Sequence, residues 1–302
     1  MKLLVTGSLA ATQEDLEALR ALGHEITLHP DERIPVEHPE KFEGAICNSL
    51  FHYTSHEGFN NLRFLQITSA GYDRVPLDWV RQQGIRLYNV DGAYAPPMAE
   101  WTLMRILELL KMVPLFFRQQ LAGVYQKNRQ WQELWGKEVL LVGYGAYGRE
   151  IVKRLKPFGP RITVVNRTQK EDADVDAFLP LDQLPRLLPE ADILILAVGL
   201  NPQTLHLINE EALQSMKPGS LLINAARGKL IDEEALIRAL RKGPLGGAAL
   251  DVFETEPLPP DSPLWQLDNV LLSPHNSFVG NRNHERMMHS VLKHLQEYGE
   301  PG

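Results

Sequence analysis

The run Val139-Leu140-Leu141-Val142-Gly143-Tyr144-Gly145-Ala146-Tyr147-Gly148 constrains this chain more than any other feature. Four apolar residues suit a strand buried on both faces, and Gly-x-Gly-x-x-Gly follows without a gap. Gly143 permits a tight turn, Gly145 lets the backbone approach a pyrophosphate, and Gly148 lets the next helix lie close to the sheet. Residues 149–155 carry a helical pattern and residues 162–165 a second apolar run. A bare glycine triplet would be an ordinary turn. Between a strand and a helix, with a further strand behind, it predicts a dinucleotide site at a helix N-terminus.

The same alternation extends along the chain. Strands are expected at 3–6, 25–28, 45–47, 64–68 and 86–89, then at 139–142, 162–165, 192–197, 220–224, 247–251 and 270–273. Helical patterns at 12–22, 149–155, 209–215 and 232–241 lie between them. This is the signature of α/β architecture with parallel sheets, and 302 residues exceed what one hydrophobic core usually supports. A loop at 91–97 closes the first block, and Pro96 and Pro97 should forbid a continuous helix before Met98. The helix expected at 98–111 is apolar almost all round, as if covered by more than its own domain, and 121–135 reads as an arm with Tyr125, Trp131 and Trp135. The last helical pattern, 285–297, should pack back on the first domain. The expected division is therefore 1–92 plus 279–302 for one domain and 93–278 for the other.

A net charge of −7 and an isoelectric point near 5.8 argue against nucleic-acid or anionic-membrane partners. No apolar stretch approaches the ~20 residues of a membrane span, and Met1 to Gly7 reads as a first strand rather than a targeting signal. Cys47, the only cysteine, ends an apolar run and cannot form an internal disulfide, which fits a reducing compartment, the cytoplasm. His52 and His56 have no third ligand at metal-site spacing, so no metal is expected.

After the second strand of the dinucleotide unit stands Asn166-Arg167-Thr168. An NAD site normally has Asp or Glu here, bound to the ribose hydroxyls. A neutral Asn followed by an Arg instead favours the 2′-phosphate of NADPH, with NAD still usable. Further ionisable residues fall at or past strand ends: Arg227, Asp251 and His275, with Glu256 a short loop beyond Asp251. Ligands of open α/β sheets sit at that edge. Reducing a ketone needs a cation to polarise the carbonyl and a proton donor near neutrality, roles that suit Arg227 and His275. A carboxylate beside the imidazole would favour its protonated form and fix its orientation.

Asn224-Ala225-Ala226-Arg227-Gly228, Leu250-Asp251-Val252-Phe253-Glu254-Thr255-Glu256-Pro257 and Ser273-Pro274-His275 resemble the signature blocks of the D-isomer-specific 2-hydroxyacid dehydrogenases. Supporting matches run in order from about residue 64 to 278, including Ser69-Ala70-Gly71-Tyr72-Asp73, Pro202-Gln203-Thr204 and Met216-Lys217-Pro218-Gly219. The resemblance implies a Rossmann dinucleotide-binding domain and a flavodoxin-like substrate domain split between both chain ends, in a homodimer. It implies a catalytic set Arg227, Glu256 and His275, cofactor contacts that include Ala225, Ala226 and Asp251, and a substrate carboxylate held by the amides of Ala70 and Gly71. The implied activity is NADPH-dependent reduction of a small 2-oxo acid, of the glyoxylate or hydroxypyruvate type. Alternatives within the same fold are a dinucleotide-sensing binding protein and a dehydrogenase of a phosphorylated hydroxy acid or phosphite. The sequence departs from the pattern at Asn276-Ser277, and residues 1–60 match it only in periodicity.

Overall fold

The computed structural model describes residues 1–90, 92–168 and 170–299. Asp91, where the loop ahead of the long helix was expected to begin, and residues 300–302, the end of the first domain as read from the sequence, lie outside them. The chain divides into two compact units, one from Met1 to Tyr94 rejoined from Gly280 onward, the other Ala95–Val279.

The first unit runs β1 (Lys2–Thr6), α1 (Gln13–Ala21), β2 (Glu25–His29), β3 (Gly44–Cys47), β4 (Phe64–Ile67), α2 (Leu77–Gln82) and β5 (Arg86–Tyr88). Among the described residues its sheet has the order β2-β1-β3-β4-β5, all parallel, which is the flavodoxin-like winding. Thr12 and Asp15 form a reciprocal capping box that starts α1. Burial pushes the Cys47 thiol well above its ordinary range, as suits a structural core residue.

The second unit opens with α3 (Ala95–Leu110) and α4 (Val113–Leu121) and continues β6 (Glu138–Val142), α5 (Ala146–Leu155), β7 (Arg161–Asn166), β8 (Ala177–Pro180), α6 (Leu184–Leu187), β9 (Ile193–Leu196), α7 (Glu210–Ser215), β10 (Leu221–Asn224), α8 (Glu233–Lys242), β11 (Gly247–Leu250) and β12 (Val270–Leu272). The chain then returns as α9 (Asn283–Gly299) in the first unit, where Met287, Met288, Val291 and Leu295 are buried with Leu3, Val5, Ile46 and Phe64. The larger sheet has seven strands among the described residues, in the order β12-β11-β10-β9-β6-β7-β8, every pairing parallel. Its winding reverses between β6 and β9, the switch point at which such sheets bind ligands.

The structure departs from the expected elements at several points. The long helix begins at Ala95, not Met98, with Pro96 and Pro97 in its first turn. An N–H there has no intrahelical acceptor to lose, so proline is tolerated. Of its apolar residues, Ala99, Trp101, Ile106 and Leu110 are buried against the β6 to β10 layer of its own unit, while Leu103, Leu107 and Leu109 are partly buried and Met104 is exposed. The segment read as an arm is preceded by α4, and β8 is a strand that the sequence reading missed. β8 is a short edge strand ending in Pro180, so it needs little apolar length and carries no alternation.

Candidate active site

Strand register fixes where the candidate residues lie. Val142, Leu196, Asn224, Leu250 and Leu272 are paired neighbours at the carboxyl ends of β6, β9, β10, β11 and β12. The residues that follow them, among them Gly143, Ala225, Asp251 and Ser273, therefore line one edge of the larger sheet. The structure brings the glycine loop, Arg227, Glu256 and His275 to that edge of a single unit.

The glycine loop fits a pyrophosphate by what side chains would do there. Gly143 has φ +99, and a Cβ on it would stand 2.4 Å from Ala197 O. A Cβ on Gly148 would stand 2.5 Å from Gly143 O, so both glycines are demanded by packing. Gly145 differs: a Cβ there meets nothing within 4 Å. Its glycine is not required by the protein's own packing, and the space in front of it is open at the start of the ten-residue α5. The first turn of α5 carries no acidic side chain and no side-chain cap, so its N–H groups remain for an anion. Tyr147 shares a 2.6 Å hydrogen bond with Thr102 Oγ1, so its offer to a ligand is its backbone N–H. Tyr144 donates to Asp172 Oδ2 at 2.5 Å, and burial together with that carboxylate holds its phenol up.

At the end of β7 the Asn166 side chain donates to Thr168 O (2.8 Å) and to its Oγ1 (3.2 Å), closing the turn that carries Arg167. Arg167 and Thr168 are exposed, and Arg167 is in no ion pair among the described residues. No carboxylate stands at position 166.

Arg227 leaves β10 in an extended conformation, φ −145 and ψ 139. Asn224 braces this turn: its Nδ2 donates to Arg227 O at 2.9 Å and its Oδ1 accepts from Ala226 N at 3.0 Å. The sequence reading assigned Asn224 nothing, although an Asn ending an apolar strand is a common turn-former. Asp251 is fully buried, and its carboxylate accepts from Ser273 Oγ (2.6 Å), Asn276 N (2.9 Å) and Ser277 N (2.9 Å). Its first task is to hold the loop that carries His275. Ser273 in turn accepts from Trp101 Nε1 at 3.1 Å.

His275 sits in the left-handed region at φ +49, and its N–H donates to Asp251 O at 2.8 Å. A non-glycine residue is held there only by its surroundings, as at many functional sites. Its Nδ1 lies 2.7 Å from Glu256 Oε2, and Glu256 Oε1 accepts from Phe253 N at 3.0 Å. The carboxylate is thus fixed at both oxygens, and Nε2 is left as the outward nitrogen. Half-exposed and oriented, an imidazole on a carboxylate can deliver a proton, and a guanidinium on the same edge can hold an anion.

In the first unit, Ala70 and Gly71 follow β4. Ala70 O accepts from Asn89 Nδ2 at 2.6 Å and Gly71 O from Ser69 Oγ at 2.8 Å, while their N–H groups donate to nothing among the described residues. The loop is tied by its carbonyls and offers its amides.

Residues 103–277 match the family profile described as D-isomer specific 2-hydroxyacid dehydrogenase, NAD binding domain. A glyoxylate reductase of Pyrococcus horikoshii is 35% identical over 262 residues, covering 83% of this chain and 78% of that protein. Among solved structures, a glyoxylate reductase from Paecilomyes thermophila is similar at 26% identity and a TM-score of 0.83, covering 98% of this chain and 94% of that one. A D-isomer specific 2-hydroxyacid dehydrogenase from Xanthobacter autotrophicus, in complex with NADPH and MES, is similar at 29% identity and a TM-score of 0.83, over 99% and 96% of the two chains.

Proposed function

Because this chain belongs to the family of D-isomer-specific 2-hydroxyacid dehydrogenases, we propose that it reduces a compact 2-oxo acid, of the glyoxylate or hydroxypyruvate type, to the D-2-hydroxy acid. The observation that carries this reading is the 2.7 Å contact of His275 Nδ1 with Glu256 Oε2, on the strand edge that also carries Arg227 and the glycine loop. The cofactor is a nicotinamide dinucleotide; the Gly143, Gly145 and Gly148 loop and the backbone N–H groups of Ala146 and Tyr147 would hold it, with Ala225, Ala226 and Asp251 as the further contacts that the family pattern implies. When bound, it supplies the hydride.

The remaining chemistry belongs to the side chains. Arg227 pairs with the substrate carboxylate and polarises the 2-oxo group, and in the first unit the open amides of Ala70 and Gly71 are themselves suited to a carboxylate. His275, protonated, donates from Nε2 to the carbonyl oxygen as it gains charge. Glu256 holds Nδ1 and sets the ring plane. Residues 1–94 with 280–302 then act as the substrate domain and 95–279 as the dinucleotide domain. Following nicotinamide absorbance with glyoxylate and hydroxypyruvate tests the reading, and a folded protein that binds NADPH but oxidises it with no 2-oxo acid would instead be a sensor.

NADPH is the preferred cofactor in this proposal. A carboxylate at position 166 would repel the 2′-phosphate; Asn166 does not, and Arg167 and Thr168 stand exposed beside it. One charge-assisted hydrogen bond contributes ~1.5–3 kcal/mol, so a preference of about ten- to a hundredfold is expected. Arg167→Ala should remove most of that preference while barely changing kcat/KM with NADH. Asn166→Asp should lower NADPH use further. A higher wild-type kcat/KM with NADH would contradict the assignment.

The protein is further read as a cytoplasmic homodimer. Its single buried cysteine suits a reducing compartment. Phe117, Leu121, Tyr125, Trp131 and Trp135, on α4 and the segment that follows, are all more than half exposed, an apolar array that a second copy would cover. Light scattering at micromolar concentration should give twice the chain mass, and a monomer there would refute it.

A further inference from the structure

Two loops carry the groups assigned to chemistry. One is the turn Arg227-Gly228-Lys229; the other runs from Asp251 to Glu256. Their spacing decides whether Arg227 can hold a substrate while His275, on Glu256, protonates it. We propose that His206, Glu233 and Glu254 form a positioning unit that ties these two loops together; this rests on the roles given above to Arg227 and Glu256.

Glu254 and Glu233 exchange backbone-to-carboxylate hydrogen bonds. Glu254 N donates to Glu233 Oε2 at 3.1 Å, and Glu233 N donates to Glu254 Oε1 at 3.2 Å. Glu233 is the first residue of α8, so the loop is bolted to a helix whose Asp232 cap accepts from Ala235 N. His206 supplies the link to the other loop. Its N–H donates to Lys229 O at 2.9 Å, while its Nε2 lies 2.9 Å from Glu254 Oε1. Like His275, it is held at positive φ, +47. Gly228 closes the arrangement, since a Cβ there would stand 1.9 Å from Phe253 C and O. The turn bearing Arg227 thus lies directly on the peptide that precedes Glu254.

The arrangement is electrostatically costly, which argues for a use beyond holding a loop. Burial holds the Glu233 carboxyl above its usual range; the Glu254 N–H opposes that rise and the Glu254 carboxylate adds to it by repulsion. A neutral turn residue would close the loop without that repulsion. What the carboxylates give is two directed acceptors, and for Glu254 an anchor for a half-exposed histidine that spans both loops.

A steady-state comparison of Glu254→Ala, Glu254→Gln, His206→Ala and Glu256→Gln tests this, with hydroxypyruvate and saturating NADPH across pH. Misplacing reacting groups by an ångström can cost about a hundredfold, so Glu254→Ala should lower kcat by about tenfold or more. Its fall in kcat at alkaline pH should move to lower pH, toward the profile of Glu256→Gln. Glu254→Gln keeps the acceptor for Glu233 N and should keep both rate and profile. His206→Ala, a change at a half-exposed side chain, should move the profile in the same direction by less, and serves if Glu254→Ala does not fold. The effects of Glu254→Ala and Glu256→Gln should not multiply in the double variant. An unmoved profile in both Glu254→Ala and His206→Ala, beside a moved one in Glu256→Gln, overturns this inference alone. An unmoved profile in Glu256→Gln removes the role of Glu256 itself.

Discussion

His275→Ala is expected to lower kcat by ~10²–10⁴-fold, the usual worth of a general acid, and to depress kcat far more than it weakens NADPH binding. The ring is fixed from two sides: Glu256 Oε2 stands 2.7 Å from Nδ1, and the backbone N–H is held by Asp251 O at 2.8 Å. Both bonds place the imidazole; neither occupies Nε2. Removal of the ring takes away the proton donor and leaves the dinucleotide loop, on a different strand end, untouched. Backbone strain is a competing cause, because φ is +49 at this position. His275→Asn separates the two, since Asn tolerates the left-handed region but cannot donate as an acid. Equal loss in the Ala and Asn variants is the expected result. A near-normal kcat in either would end the assignment.

Arg227→Ala should cost ~10²–10³-fold in kcat/KM, comparable to removing a principal donor to a developing oxyanion. Arg227→Lys tests why arginine is there. Lysine restores the charge but not the planar fork, so it gives up one of two parallel charge-assisted hydrogen bonds, a loss of about ten- to a hundredfold. Asn224 still braces the backbone of this turn in either variant, through Arg227 O and Ala226 N, although the bond from Arg227 Nη1 to Ala226 O at 2.7 Å is lost. Lys and Arg forms of equal activity would show that charge alone serves. Unchanged kcat/KM in the Ala form would place the substrate carboxylate elsewhere.

Much of this was legible in the residues. Strands buried on both faces, such as Leu221-Leu222-Ile223 and Ala248-Ala249-Leu250, announce themselves by unbroken apolar runs. Gly-x-Gly-x-x-Gly declares its helix by position, and Arg227, Asp251 and His275 each stand just past a strand, where register must bring them to one edge. What was not legible depends on tertiary context. β8 is a marginal edge strand whose pairing with β7, not its composition, makes it a strand. Pro96 and Pro97 break a helix or begin one according to which turn they occupy, and the sequence does not say which. Asp251, Glu254 and His206 act through bonds to backbone atoms of distant residues. No spacing rule encodes the 2.9 Å between His206 Nε2 and Glu254 Oε1 across forty-eight positions. Those bonds are the part of the site that only the fold displays.

In the proposed reaction a hydride passes to the 2-carbon of a small 2-oxo acid under the control of Arg227, Glu256 and His275. The most direct test is the configuration of the product. Hydroxypyruvate should be incubated with NADPH and the purified protein, and the glycerate resolved on a chiral column while nicotinamide absorbance is followed. The expected result is D-glycerate alone, formed one for one with NADPH consumed, and lost in His275→Ala. Formation of L-glycerate, or no oxidation of NADPH or NADH with any 2-oxo acid by a protein that binds the dinucleotide, would contradict it.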